Sequence, residues 1–524
     1  MVPKAPELRP CGVEREMLIE FTKVRKTAAI VFLGLSAFYL SLSPTSIAGQ
    51  GYTGEEINSG LRMLAVVNAW VKGRPIPQME WSRHGPLPVL FDLPFIKLGK
   101  MFLSPDFALS FQPVLLTAGI VTVLYLWLRK LCSPAISILL TFTGAFGTML
   151  WPYAYISLET KLSFFLILAG YLGLAGGRIR GWSRLLLFAA CCGLAVSLKS
   201  TGVVLVPAIA YVVYVQFRDD WRVRLAQVLT LVVVVGTLWI AGSVGRNLYW
   251  SPRGGGFNNM RPWLVDSPFQ YFYNAIGIFG SPNKGFFVYA PALLASIYAI
   301  PRALRTHRDT TVFALLVTAG TVAFLSVLKS PSDEVWGSRY MHVVIAPLLL
   351  CIGAAWPRFE WRKHAPVAAL AMMGLFISFL GAFYYYGKLD FAAKKTGQNT
   401  LEWITGDDDW NHILFNARLF RTWLSGATTP VPWPHEHTWV WTAPPNAQPW
   451  QTVDLREFCQ PQSFMVRFWN VPKTGLVLKL FRGYVTSLVL GLLFLTWAAV
   501  RTLREQRNAQ VSELAAVAES ASNP

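Results

Sequence analysis

Apolar runs, most of them closed by Arg or Lys, recur through this 524-residue chain from Ala28 to about Val500. They lie near 27–43, 107–128, 134–152, 156–176, 184–199, 202–217, 225–245, 285–300, 311–328, 340–356, 365–387 and 484–500. A helix of about 17–25 apolar residues crosses a bilayer, so the pattern predicts an all-α polytopic membrane protein with about twelve transmembrane helices. Only 14% of the residues are charged, where soluble chains carry roughly 25%, and a conventional cytosolic enzyme is thereby excluded.

The chain holds 47 Lys+Arg against 28 Asp+Glu, a net charge of +19. The basic residues come as short clusters at the ends of apolar runs, which reads as helix orientation and not as a nucleic-acid stripe. With the N-terminus inside, Arg129/Lys130, Arg178/Arg180/Arg184, Arg218/Arg222/Arg224, Arg302/Arg305/Arg308 and Arg358/Arg362/Lys363 all fall on the cytoplasmic side. The short outer connections near Trp151–Ile156 and Lys199–Thr201 carry only Lys199, so the charge bias sets the topology with both termini cytoplasmic. Ser46-Ile47-Ala48 after the first run has the look of a signal cleavage site, but the basic segment before the run is long, and the run is read as a retained anchor. Six dispersed cysteines predict neither a disulfide nor a Cys-based metal site.

This topology divides the chain into a cytoplasmic basic tail (1–26), a membrane region (27–387) with outer loops 44–106, 246–284 and 329–339, an outer segment (388–482), a last helix (483–503) and a tail (504–524). Everything elaborate is outside and everything cytoplasmic is short, so an enzyme or receptor working on cytosolic solutes would not be built this way. The outer segment holds eight of the 21 tryptophans and Pro430, Pro432, Pro434, Pro444, Pro445 and Pro449. That density predicts strands, turns or an interfacial lid more than a helical domain. An aromatic belt at headgroup depth is the simplest reading of the tryptophans, with sugar-stacking platforms second. The polar Ala/Ser/Glu-rich tail after Arg501 is expected to be disordered.

The ionisable residues of the outer loops are the candidates for chemistry. After the first span, Thr53-x-x-Glu56 forms a capping box ahead of an amphipathic, interfacial helix with Ile57, Leu61, Leu64 and Val71 on one face. Glu56 has a capping task; Glu55 has none, and adjacent carboxylates at the lipid–water boundary suit a general base. A second interfacial helix follows, opened by Gly85-Pro86, with Arg83 and His84 just before it. A lone His is a poor metal ligand, so His84 is at most accessory. Lys284 stands in Gly280-Ser-Pro-Asn-Lys-Gly, and Arg339 follows Trp-Gly-Ser with Asp333 and Glu334 before it. Snorkelling explains both cations; against it, Arg339 has little stem-burying sequence around it, and a guanidinium fork matches phosphate. Glu159, with Lys161 or Lys199, reads equally as an ion-paired packing element and as part of a site.

Taken in order, the two carboxylates of the first outer loop, the helix opened by Gly85-Pro86 and carrying Pro94-Phe95, Ser281-Pro-x-x-Gly285-Phe-Phe-x-Tyr289-x-Pro291 and Trp336-Gly-x-Arg339-Tyr340 resemble the GT-C superfamily. More narrowly they resemble its bacterial phospholipid-carrier-dependent glycosyltransferases, related to aminoarabinose transferases and protein O-mannosyltransferases. The resemblance covers about residues 27–360. It implies a GT-C-like fold and an inverting transfer from a polyprenyl-phosphate sugar, with Glu55 as the catalytic carboxylate. The family has Asp-Glu where this chain has Glu55-Glu56, one methylene longer at the first position.

The chemistry fits independently. A phosphate leaving group needs no general acid, only a base for the acceptor hydroxyl and cations for the released phosphate. Glu55 and Glu56 supply the first; Arg339, Lys284 and Arg83 supply the second, with His84, Glu159, Lys199, Asp333 and Glu334 as accessories. The partners expected are the lipid-linked donor and a lipid, glycan or protein acceptor, with no nucleic acid. No cofactor is demanded, although a divalent metal between a carboxylate and the donor phosphate leaves no sequence signature. Two rivals keep the same residues: a flippase for a lipid-linked saccharide, expected to carry midplane charges and helix breaks, and a non-catalytic envelope scaffold.

Overall fold

A computed structural model describes residues 12–42, 61–74 except 62 and 70, 86–102, 108–109, 111–155, 157–179, 181–222, 224–250, 264–329, 336–358, 360–384, 411–424 and 475–522. The described residues are helical almost throughout; their isolated extended pairing is an antiparallel bridge between Leu264 and Leu328. The helices are α1 (Gly12–Ser41), α2 (Pro86–Phe102), α3 (Phe111–Leu131), α4 (Pro134–Phe146), α5 (Leu150–Tyr153), α6 (Ser157–Gly170), α7 (Trp182–Ser197), α8 (Val206–Phe217) and α9 (Leu225–Trp250). There follow α10 (Pro268–Gly280), α11 (Phe286–Tyr289), α12 (Ala295–Thr306), α13 (Arg308–Ser326), α14 (His342–Ala355), α15 (Trp361–Phe383), α16 (His412–Leu424) and α17 (Gly475–Ser522).

An apolar chain in lipid has to satisfy every backbone group internally, which selects helices here. Among the described residues six helices are long and apolar enough to cross a membrane, within α1, α3, α9, α13, α15 and α17, and four shorter apolar stretches accompany them at 134–146, 182–197, 201–217 and 339–355. The protein is an all-α polytopic membrane protein.

Basic side chains gather at one end of the bundle. There Arg129 Nη1 lies 2.7 Å from Glu505 Oε2, tying α3 to α17, and Arg501 Nη2 reaches the Lys23 carbonyl at 3.5 Å. Lys130 donates to the Ala175 carbonyl, Arg184 to Gly176 and Arg224 to Ile179. Lys130 and Arg184 thus serve carbonyls at the close of the α6 run, where basic side chains satisfy helix ends and complement their dipole. The core between the ends is aromatic and tight: Trp127 packs on Tyr171 and Phe313, and Phe38, Phe146 and Trp151 form a second group.

Three expectations need correction. The run at 285–300 is not one continuous span: it breaks into α11, a 3-10 turn at Pro291–Leu294 and α12, with Ala290 outside the helical region at φ −143 and ψ 63. Pro291 has no N–H to continue the ladder and disfavours a helical residue before it. The outer segment, read as strands, turns or an interfacial lid more than a helical domain, has a helix at its described residues, α16; its apolar residues recur at helical spacing and bury Phe415 and Leu419. The tail after Arg501 continues α17 to Ser522. Ala, Glu and Arg are strong helix formers, and extending an existing helix needs no new nucleus.

Candidate functional site

At the end of the bundle opposite the basic clusters, charged side chains are buried. Glu159 lies in the first turn of α6; Lys199 sits where α7 gives way to the 3-10 turn Ser200–Leu205; Arg339 opens the 3-10 turn that leads into α14. Glu159 Oε1 is 2.5 Å from Lys199 Nζ and 3.1 Å from Arg339 Nε. All three residues are buried. Both cations also lie over the face of Tyr340, Lys199 Nζ at 4.5 Å and Arg339 Cζ at 4.7 Å from the ring centroid, an arrangement that stabilises desolvated positive charge. Arg339 Nη2 donates to the Tyr340 hydroxyl at 3.0 Å. Two cations meet one carboxylate in this cluster. It borders a narrow cleft formed by Glu159, Lys199 and Tyr340 with apolar walls that include Leu162, Leu205 and Phe324.

Arg339 owes its inward position to the residues before it. Gly337 is left-handed, at φ +60, and a Cβ there would meet Met149 Sδ at 2.7 Å and Tyr289 Cγ at 2.8 Å. Only glycine both adopts this conformation without cost and fits this space. Trp336 packs edge-on against Tyr289 at 5.2 Å, and its carbonyl accepts from Tyr153 Oη at 2.8 Å. The turn therefore folds into the bundle and carries Arg339 with it. The surrounding sequence concealed this burial, and the snorkelling reading of Arg339 does not hold.

A second buried pair lies on the same turn of α6. Lys161 Nζ is 2.6 Å from Asp92 Oδ1, at 1% and 0% side-chain exposure. Asp92 comes from α2, whose Phe91 carbonyl also accepts from Gln112 of α3 at 2.8 Å. Lys161 thus pairs with Asp92, while Lys199 and Arg339 pair with Glu159. One turn further along α6, Ser163 Oγ is 2.7 Å from His342 Nδ1, and the His342 ring meets Tyr153 edge-on.

Lys284 occupies a turn after α10, its amide 3.4 Å from Ser281 Oγ, and it too is buried. Tyr289 Oη donates to the Asn283 carbonyl at 2.7 Å, so the ring that braces Trp336 also braces this turn. Asn411, just before α16, donates to the Pro282 carbonyl at 2.8 Å. Its neighbour His412 packs edge-on against Trp336, 6.1 Å between centroids. Burial, with the Lys284 ammonium beside it, pushes the His412 imidazole well below its ordinary value, and it is neutral.

Of the residues singled out in the sequence, Glu159, Lys199 and Arg339 come together, and Lys284 stands in a neighbouring buried turn. Glu55, Glu56, Arg83, His84, Asp333 and Glu334 lie outside the described residues. Sequence reasoning missed Asp92, Tyr340, His342 and His412. The lone acid Asp92 inside the apolar stretch Leu87–Leu98 was the available signal, since an ionisable residue in such a stretch calls for a partner. Among the described residues no three His, Cys, Asp or Glu side chains come together as a metal site.

No protein-family model matches the sequence, and no curated protein matches it. Among solved structures, the chain is similar to the crystal structure of ArnT from Cupriavidus metallidurans in the apo state, at 15% identity and a TM-score of 0.46, over 91% of this chain and 75% of that one.

Proposed function

We propose that the protein is an inverting glycosyltransferase that moves a sugar from a polyprenyl-phosphate donor to an acceptor at the periplasmic face of a bacterial inner membrane. The observation that carries this reading is the buried cluster of Lys199 and Arg339 around Glu159 at the end of the bundle away from the basic clusters. By the charge rule that end is the outer one. Desolvated cations held by the fold before substrate arrives suit a departing phosphate, because no reorganisation is needed as charge develops.

In this reading Arg339 and Lys284, with Arg83, hold the donor phosphate. Glu159 and Lys199 orient Arg339. Glu159 is a poor base, since two cations hold it as a carboxylate. Proton removal from the acceptor hydroxyl falls to Glu55 or Glu56, and attack on the anomeric carbon expels polyprenyl phosphate with inversion. A divalent ion beside Glu55 or Glu56 would add Lewis-acid stabilisation of the phosphate.

The break between α11 and α12 favours a second reading, transport of a lipid-linked saccharide. Against it, the buried charges cluster toward one end instead of the middle. Purified protein given labelled polyprenyl-phosphate sugars, with and without divalent metal, should release polyprenyl phosphate, and Glu55→Gln with Glu56→Gln should stop the release. Absence of release with every donor of a broad panel would move the weight to transport.

A further inference from the structure

Lys284 and Arg339 stand on two different turns, and the Tyr289 side chain touches both turns. The first, Ser281–Gly285, is closed on itself: Gly285 N donates to the Ser281 carbonyl at 2.7 Å, and a Cβ on Gly285 would collide with the Ser281 backbone. One helical turn later Tyr289 N donates to the Gly285 carbonyl at 3.2 Å, and the Tyr289 hydroxyl reaches back to the Asn283 carbonyl at 2.7 Å. That oxygen belongs to the peptide joining Asn283 to Lys284, so the phenol fixes the backbone from which Lys284 springs. The second turn meets the same ring. Trp336 packs on it edge-on at 5.2 Å, and Gly337 comes so near that a Cβ would lie 2.8 Å from Tyr289 Cγ and 3.0 Å from Cδ1. Arg339 follows two residues later.

We propose that Tyr289 is a positioning residue that holds the Lys284 turn in register with the Arg339 turn, so that both cations address one phosphate. The proposal rests on the reading of Lys284 and Arg339 as donor-phosphate ligands. A tyrosine suits the task. Its side chain has two torsions, so packing that fixes the ring fixes the direction of the hydroxyl as well, and Tyr289 is fully buried. The neighbours of the ring are themselves held. Trp336 lies against Gly381 of α15, where a Cβ would overlap the indole, and its carbonyl takes the Tyr153 hydroxyl at 2.8 Å. Asn411 holds the Lys284 turn through the Pro282 carbonyl at 2.8 Å, and Asn416 Nδ2 ties the helix that follows, α16, to the Leu380 carbonyl of α15 at 3.1 Å. Two cations act together on one anion only when their relative placement is set before it arrives, and a misplacement of about 1 Å can cost on the order of 10²-fold in rate. The two sequence motifs thus share a purpose: the tyrosine that ends Gly285-Phe-Phe-Val-Tyr289 meets the glycine of Trp336-Gly-Ser-Arg339.

Binding of a long-chain polyprenyl phosphate to the purified full-length protein in detergent tests this, with the uncharged polyprenol as control. Tyr289→Phe keeps the ring between the turns and removes the hydroxyl. It should weaken polyprenyl phosphate binding roughly fivefold, within the range of coupling between touching residues, and leave polyprenol binding unchanged. In a Lys284→Met background, itself weaker for the phosphate, Tyr289→Phe should add nothing. A tyrosine that serves the fold alone predicts equal losses for phosphate and alcohol, or the same loss with and without Lys284; either pattern overturns the proposal. Unchanged phosphate affinity in Tyr289→Phe beside a weakened Lys284→Met overturns it too and leaves Lys284 as a phosphate ligand. Unchanged affinity in Lys284→Met removes that reading of Lys284 and the proposal with it.

Discussion

Glu159 Oε1 and Arg339 Nε are 3.1 Å apart in a buried contact between the first turn of α6 and the turn ahead of α14. The same oxygen receives Lys199. Removing the acid takes a carboxylate from two buried cations, and a broken buried pair typically costs about 3–5 kcal/mol. Glu159→Ala should therefore lower the melting temperature in detergent and the amount of folded protein. Glu159→Gln, which keeps the acceptor oxygen, should cost less. Arg339→Lys keeps the charge but loses the planar fork, so it should retain the fold while weakening donor turnover. Equal melting temperatures for Glu159→Ala and the parent would show that the cluster contributes nothing to the fold.

Asp92 and Lys161 make a pair whose value is positional. Buried ion pairs are weak contributors to net stability, because desolvation offsets the attraction. Asp92→Asn alone should destabilise by roughly 3–5 kcal/mol through loss of the carboxylate charge beside the buried ammonium, and Asp92→Leu with Lys161→Leu should recover most of it. If the pair serves to register α2 against α6, the double variant will be folded but slower in transfer, since α2 follows the loop that carries Glu55 and Glu56. A double variant with full activity would reduce the pair to packing.

His412 links stability to pH. Burial beside Lys284 lowers its folded value below the ordinary histidine value of about 6.5. The unfolded chain then binds the proton that the folded chain refuses, and stability falls as pH drops below about 6.5. In His412→Phe this component disappears, so the melting temperature should depend less on pH between 7 and 5 than in the parent. An unchanged dependence would assign acid sensitivity elsewhere.

Much of this was legible in the sequence, for identifiable reasons. Basic residues at helix ends are visible in one dimension, and Arg129, Lys130, Arg184 and Arg501 gather at one end of the bundle. Trp336-Gly-Ser-Arg339 was readable as a motif, and Gly337 at φ +60 is the kind of position at which glycine is demanded. Pairing was not legible. Lys161 is two residues from Glu159, but at 3.6 residues per turn such neighbours point to nearly opposite sides of a helix, and Asp92 on a distant helix takes Lys161 instead. His412 was hidden because its segment reads as Trp/Pro-rich irregular chain, while α16 forms on the strength of its tertiary contacts with α15.

The account stands most directly on where a phosphate binds. A structure of the full-length protein with bound polyprenyl phosphate gives the distances that decide it. The prediction is that Arg339 and Lys284 both reach phosphate oxygens at about 3 Å, with Glu55 or Glu56 facing the side from which an acceptor would attack. A phosphate held by neither cation, with Arg339 still engaged by Glu159 and Tyr340, would contradict it and leave the cluster as an element of the fold.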